Sequence, residues 1–229
     1  MNGRILDWGS FGEQDTYEIT RVEQQVKKPG MFDIYLNGQF ACTVHEDTLI
    51  SMRLLKGRKL DRSELEQLEY EERVFEALSR AIRIIGRRPH SSSEVEHKLR
   101  QAEVEEDVIE AVMHKLRAEQ LLDDRAFAEQ WTENRMNAQK KGRNWVRYEL
   151  QQKGIAKEHI EAAMRSVDRS VEYENALQLG RKKWHQTDGD LRNRKQKTAA
   201  YLMRRGFPME IVRKVVSVCA SGDESCEEI

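Results

Sequence analysis

Val95–Leu116 reads VEHKLRQAEVEEDVIEAVMHKL, Val146–Val167 reads VRYELQQKGIAKEHIEAAMRSV, and Thr198–Ser217 reads TAAYLMRRGFPMEIVRKVVS. Registered on Leu99, Leu150 and Leu202, the three stretches break together, at Glu103, Gly154 and Gly206. An apolar residue follows each break (Val104, Ile155, Phe207), and Ile109, Ile160 and Val212 come five residues later. The period is 51 residues and then 52. A fixed period of this size marks a repeat protein, whose modules bury their apolar faces partly against each other. Such proteins usually work as extended binding surfaces, which moves expectation from catalysis towards binding.

Each repeat reads as three helices. In the first they are about 72–85, 92–101 and 106–119, and Ser91-x-x-Glu94 supplies a capping box for the second of them. In the middle repeat they are about 124–139, 143–153 and 157–167, with Asp123 or Asp124 capping the first. The last repeat runs about 172–185, 191–205 and 208–220. Gly154 and Gly206 sit where a helix must end in a left-handed residue, and Glu103 holds the same place without the glycine.

Working towards the N-terminus, Asp61-Arg62-Ser63-Glu64 starts a capped helix that can run to Ile85 with an apolar stripe of Leu65, Leu68, Val74, Phe75, Leu78 and Ile82. That helix joins the first repeat to a small β-unit with no flexible linker between them. Ile19, Val22 and Val26 precede a Lys-Lys-Pro-Gly turn at Lys27–Gly30. Phe32, Ile34 and Leu36 alternate with polar or amphipathic residues, Asn37-Gly38 has the chemistry of a tight hairpin, and Gln39–Val44 returns. Three short strands are marginal alone, so a helical segment at about 45–55 should pack on them.

The expected fold is therefore mostly α: an elongated tandem array of three three-helix repeats preceded by a small N-terminal β-hairpin/helix unit. Its parts are a flexible arm at 1–16, the β-hairpin and helix unit at 17–60, and the linking helix with the first repeat at 61–123. The second and third repeats follow at 124–169 and 170–220, and a disordered acidic tail at 221–229.

Charged residues make up 34% of the chain and only three prolines occur, which suits long solvated helices better than a compact enzyme. The net charge of −1 hides an asymmetry. Residues 124–220 hold 21 Lys+Arg against 12 Asp+Glu, a net of +9, whereas residues 1–123 carry a net of −6 and the last nine residues hold four acids and no base. A basic half with an acidic tail fits a polyanion or an acidic protein surface as partner, although solvated helix surface accounts for part of it. Cys42, Cys219 and Cys226 form no CxxC pair, and with no signal-peptide pattern they are expected as reduced thiols in the cytoplasm. No apolar run approaches the roughly 18 residues of a membrane span, so no membrane is expected as partner.

The run Leu122-Asp123-Asp124-Arg125-Ala126-Phe127-Ala128, then Trp131, Arg135, Gly142 and Glu149-Leu150-Gln151-Gln152-Lys153-Gly154-Ile155, resembles the core of the RecX family. Arg88-Pro89-His90-Ser91, followed by Glu94-Val95 and Lys98-Leu99, is similar to that family's first repeat. The resemblance covers about residues 72–218, and the hairpin-bearing extension before it looks like that of RecX proteins from Gram-positive bacteria. The last repeat matches mainly through Leu202, Gly206, Phe207 and Val212. What the resemblance implies is a cytoplasmic, monomeric regulator of RecA recombinase, acting in homologous recombination, DNA repair and the SOS response. Such a regulator binds RecA and its filament on single-stranded DNA, limits filament growth, and so inhibits strand exchange, ATP hydrolysis and co-protease activity. Some members of the family also bind DNA.

Little in the chain suggests catalysis. It has no Gly-rich phosphate loop before a helix and no Ser nucleophile elbow, so no enzyme, cofactor or metal is expected. Glu94-x-x-His97 has the spacing of a di-metal half-site, but the partner half-site is missing from the other repeats, and a charged helix face explains it better. Phe127 and Trp131, four apart, read as core; Trp145 reads as partly exposed; Trp184, beside Arg181, Lys182 and Lys183, reads equally as a contact surface or as packed. The contact candidates are Lys140, Lys141, Arg143 and Arg147 at the start of the middle helix of the second repeat, and Arg192, Arg194, Lys195 and Lys197 in the third. Arg143 and Arg147, at i,i+4, are expected to share a solvent face opposite Val146 and Leu150, so that reversing both charges spares the fold. Either DNA phosphates or acids on a protein filament could be neutralised there. A helical DNA-binding protein is the rival class, but no recognition helix rich in Arg, Asn and Gln beside a short Gly turn is evident. Three modules of helices about 18 Å long would reach more than one filament subunit.

Overall fold

The structure, a computed structural model, describes residues 16–224. The arm expected at 1–16 lies outside the described residues except for Thr16, and so does the tail beyond Glu224. Residues 221–224, expected in the tail, instead continue the last helix. The described residues divide into two compact units, one of residues 16–87 with 98–118 and the other of residues 88–97 with 119–224.

In the first unit, β1 (Tyr17–Gln24), β2 (Met31–Leu36), β3 (Gln39–His45) and β4 (Lys59–Leu60) form one antiparallel sheet in the order β3-β2-β1-β4. Asn37 and Gly38 both take positive φ, 49° and 86°, as the tight hairpin between β2 and β3 requires. The alternation read from sequence holds in the core, where Ile19, Ile34, Leu36 and Val44 are buried. Two details differ. Val26 lies beyond the end of β1 and is exposed, and β4, two residues paired with Tyr17 and Glu18, is too short to carry a period. Helix α1 (Glu46–Ser51) is shorter than expected.

Helix α2 (Arg62–Ile85) begins with the expected box: the Glu64 amide donates to Asp61 Oδ1 at 2.8 Å and the Asp61 amide to Glu64 Oε2 at 3.0 Å. Its first turns put Leu65 and Leu68 into the sheet's core. Further along, Arg73 pairs at 2.6 Å with Glu105, just before α4 (Glu106–Ala118). One uninterrupted helix thus belongs to both the β-unit and the first repeat. Where they meet, the His45 ring stacks on Phe75 at 4.0 Å and the His45 amide donates to Glu72. Burial first, then Glu72 and Asp33, push the nearby Cys42 thiol up to about 12, so it stays a neutral core group.

The second unit holds the start of α3 (Ser92–Gln101), then α5 (Asp124–Glu133), a π-helical turn at Asn134–Ala138, α6 (Arg143–Gln152), α7 (Lys157–Arg165), α8 (Arg169–His185), α9 (Leu191–Arg204) and α10 (Met209–Glu224). Leu99, Leu150 and Leu202, the residues that set the register, are all fully buried. All three break positions are left-handed, with φ 59° at Glu103, 71° at Gly154 and 88° at Gly206. The absence of a side chain at the two glycines has a second cause. A Cβ on Gly154 would lie 2.4 Å from Ser93 Cβ, and one on Gly206 would lie 2.4 Å from Trp145 Cβ.

Those close approaches are the seams of the array. The N-terminus of α3 sits on the C-terminus of α6, with Ser91 Oγ donating to the Lys153 carbonyl at 2.7 Å. The N-terminus of α6 sits on the C-terminus of α9, with Gly142 and Asn144 amides donating to the Arg205 and Gly206 carbonyls at 2.9 and 3.1 Å. At each seam the first helix of the later repeat adds a carboxylate to an orphan amide. Asp124 Oδ1 accepts from the Ser92 amide at 2.8 Å, and Glu172 Oε1 from the Arg143 amide at 2.9 Å. Asp123 meanwhile caps α5 itself, so the two adjacent acids cap two different helices.

The third repeat carries a buried polar residue at a register position where the other two are apolar. Thr198 stands where Val95 and Val146 stand, all three are fully buried, and the Thr198 hydroxyl has no hydrogen-bond partner. Replacing a buried unsatisfied hydroxyl by a methyl of the same shape removes a desolvation penalty of about 1–3 kcal/mol. Thr198→Val should therefore raise the unfolding free energy by about 1 kcal/mol, read as a higher urea midpoint with an unchanged slope.

Candidate functional site

The first group of candidate cations is largely engaged by the fold. Around an α-helix each residue advances about 100°, which puts Arg143 only about 20° from Leu150, beside the buried stripe rather than opposite it. Arg143 accordingly reaches back to α8, with Nε at 2.6 Å from Glu172 Oε2, and Glu172 is only 1% exposed. The expectation of a removable surface charge at Arg143 is overturned: it balances a buried carboxylate at a seam. Arg147 meets Glu161 at 3.4 Å in a half-exposed pair. Lys140, held in the left-handed region at φ 51°, donates to Gln178, and its carbonyl accepts from Arg205 at 3.3 Å. Lys141 lies over the Trp145 ring at 4.1 Å, and burial, then the neighbouring charge of Arg205, lowers its ammonium from the usual range.

The tryptophans are covered in the same way. Glu149 is the hub: its Oε2 accepts from Trp131 Nε1 at 3.0 Å and Arg135 Nε at 2.7 Å, and its Oε1 accepts from Trp145 Nε1 at 2.8 Å. Arg135 and Lys153 both lie over the Trp131 ring, at 4.1 and 4.2 Å, and Phe127 stacks on it. Trp131 is a partly buried residue packed against the second repeat's core, and Trp184 is fully buried beneath Arg194, whose guanidinium lies 4.6 Å from the ring. Open stacking platforms for bases are not what these rings provide. Sequence reading missed Glu149 as a hub, although it lies four residues after Trp145 and eighteen after Trp131.

In the third repeat, Arg194 turns inward, while Arg192, Lys195 and Lys197 are exposed and have no ion pair among the described residues. Helical geometry places Arg192 and Lys195 as i,i+3 neighbours and Lys197 on another side of α9, so the cations do not share one face. Arg181 and Lys182 on α8 are exposed as well. Among the described residues, no group of three or more His, Cys, Asp or Glu is placed to hold a metal, and Glu94 is spent on Lys153 and Arg88. No helix among them is long and apolar enough to cross a membrane.

Comparison with known proteins decides the family. Models described as the first, second and third three-helix domains of RecX match residues 77–116, 123–164 and 170–216. The regulatory protein RecX of Limosilactobacillus reuteri is 31% identical over 199 residues, covering 86% of this chain and 75% of that protein. The chain belongs to the RecX family. Similarity extends to the regulatory protein RecX of Clostridioides difficile, 27% identical over 90% of this chain and 97% of its own. A crystal structure of a regulatory protein RecX superposes with a TM-score of 0.78 at 30% identity, covering 87% of this chain and 98% of that one. The third RecX repeat, the weakest match by motif, is thus recognised along with the other two.

Two measurements check the structural reading of these charges. Arg143→Met strands the buried Glu172 and should cost about 3–5 kcal/mol, whereas Arg147→Met, which loses a half-exposed pair, should cost no more than about 1 kcal/mol. Urea unfolding of the two variants reads the contrast. The second concerns Glu94. Burial opposes its ionisation, but hydrogen bonds from Lys153, Arg88 and the Ser91 amide outweigh it and hold the carboxyl at about 2. Its folded value lies below its unfolded one, so the contribution is present above about pH 4.5 and disappears as pH falls towards about 2. Lys153→Met should flatten stability against pH across that window.

Proposed function

We propose that this RecX protein regulates RecA recombinase by binding RecA and its nucleoprotein filament on single-stranded DNA. It limits filament growth, and through that strand exchange, ATP hydrolysis and co-protease activity. The observation that carries this reading is the match of all three repeats to RecX domains, shared with relatives named as regulatory proteins. The protein acts by occupying surface, without catalysis or cofactor, as a monomer in the cytoplasm.

Within the protein, the contact is assigned to the third repeat, through Arg192, Lys195 and Lys197. These cations are exposed and unpaired among the described residues, so a partner meets them without first breaking a seam. In the second repeat, Arg147 contributes at the margin, while Lys140, Lys141 and Arg143 chiefly support the fold. The same exposed cations support a second reading, a helical protein acting directly on DNA.

One variant separates the two. Charge reversal at Arg192, Lys195 and Lys197 together should leave thermal unfolding unchanged and weaken inhibition of RecA ATPase on single-stranded DNA. The loss should shrink as salt rises. Co-sedimentation with RecA filaments, with bare single-stranded DNA as control, then assigns the partner. Strong binding to filament and weak binding to DNA supports the regulator. Equal binding to both, with a salt slope that drops by about 2 in the variant as three phosphate contacts would give, supports the direct DNA binder. Unchanged inhibition at low salt removes α9 from the mechanism.

A further inference from the structure

The second repeat has an open cleft of about 630 Å³ between α5 with its π-helical turn and the junction of α7 with α8. Its floor is aliphatic: Ala126, Met136, Val167 and Val171. Its rim is acidic: Glu129, Glu133 and Asp168. No lysine or arginine lines it, although it lies in a stretch where bases outnumber acids 21 to 12.

The three carboxylates are differently committed. Glu129 meets Arg125 at 3.1 Å in an exposed i,i+4 pair, the kind that contributes little and opens readily. Asp168 spends Oδ1 on the Ser170 amide at 2.8 Å, and that bond, with a second from the Ser170 side chain, holds its carboxyl below the usual range. Glu133 is exposed and has no partner among the described residues.

Thr132 forms part of the wall: it is 3% exposed, and its oxygen is closed off from solvent. The same wall continues as irregular backbone: the π-helical turn sets Met136 and Asn137 into the cleft, and Asn175 Nδ2 fixes it by donating to the Met136 carbonyl at 3.1 Å. Such π-turns within helices are often found at functional sites.

We propose that this cleft docks a lysine- or arginine-bearing segment of a protein partner. The long methylene stem of such a side chain fits the aliphatic floor, and its charged head donates to the rim carboxylates. The cleft goes beyond the RecA reading, which puts its contact on the cations of α9. The two surfaces have opposite charge and would be lost in different variants.

The test uses the full chain labelled with nitrogen-15 and the acetylated, amidated peptide Leu-Arg-Val-Lys-Leu, with Leu-Gln-Val-Gln-Leu as control. The expected result is saturable shifts at amides of residues 126–137 and 166–171 with the basic peptide and none with the control. Glu129→Gln with Glu133→Gln should weaken binding at least tenfold at unchanged melting temperature. Reversal of the α9 cations should leave it unchanged. Shifts spread over every acidic surface, equal shifts with the glutamine peptide, or equally tight binding of free arginine amide would each overturn the proposal. Failure of the basic peptide to bind at millimolar concentration would do so too.

Discussion

The architecture of the second unit depends on the backbone of one helix end reaching the backbone of another. A helix N-terminus carries orphan amides and a C-terminus orphan carbonyls, and each must find partners when buried. At the two seams of this protein those needs answer each other. Gly142 and Asn144 amides meet the carbonyls of Arg205 and Gly206, and Ser91 meets the Lys153 carbonyl. The contact is possible because Gly154 and Gly206 have no Cβ, since either atom would fall 2.4 Å from the facing helix. Left-handed backbone and absence of bulk are two demands, and glycine answers both.

Once the helix ends are joined, the charges around them are largely assigned. The four amides at an N-terminus attract an acid, supplied by Asp124 at one seam and Glu172 at the other. A buried Glu172 needs a cation, which takes Arg143 out of solvent. Arg205 folds over the carbonyls of Gln139 and Lys140, and its charge bears on Lys141. Basic residues that look alike in the sequence therefore divide into those that hold the modules together and those that remain for a partner. In the second repeat most belong to the first class; on α9 most belong to the second.

The fold was legible because its signal is periodic. Leu99, Leu150 and Leu202 recur with their neighbours at near-constant spacing, and all of them proved buried. Helix ends were legible where chemistry marks them, as at Asp61 with Glu64 and at Ser91 with Glu94. The two-residue strand β4 and the π-helical turn leave no period to find. The candidate site was read less well for a different reason. Exposure of a cation depends on which acid from another repeat faces it, and that is a matter of three-dimensional pairing. Arg143 and Arg192 both begin the second helix of a repeat, yet only Arg143 has a Glu172 to meet. Angular position gave partial warning, since Arg143 flanks the stripe of Leu150. For Trp184, among the basic residues of α8, the sequence left contact and packing equally open, and burial decides for packing.

The first repeat forms the same helix end without glycine. Glu103 adopts the left-handed conformation of Gly154 and Gly206, so the helix end itself is conserved in shape without the glycine. Beside it, Arg73, Glu76, Arg80, Glu103 and Glu105 line an open cleft of about 270 Å³ within the first unit. The strain of a non-glycine residue at positive φ is the cost, and it is tolerable because the helix-ending carbonyls are still satisfied: the Glu103 amide donates to Arg100 and the Val104 amide to Leu99. The same backbone turn thus forms with glutamate as with glycine, and at the two glycines a facing helix comes too close for a Cβ.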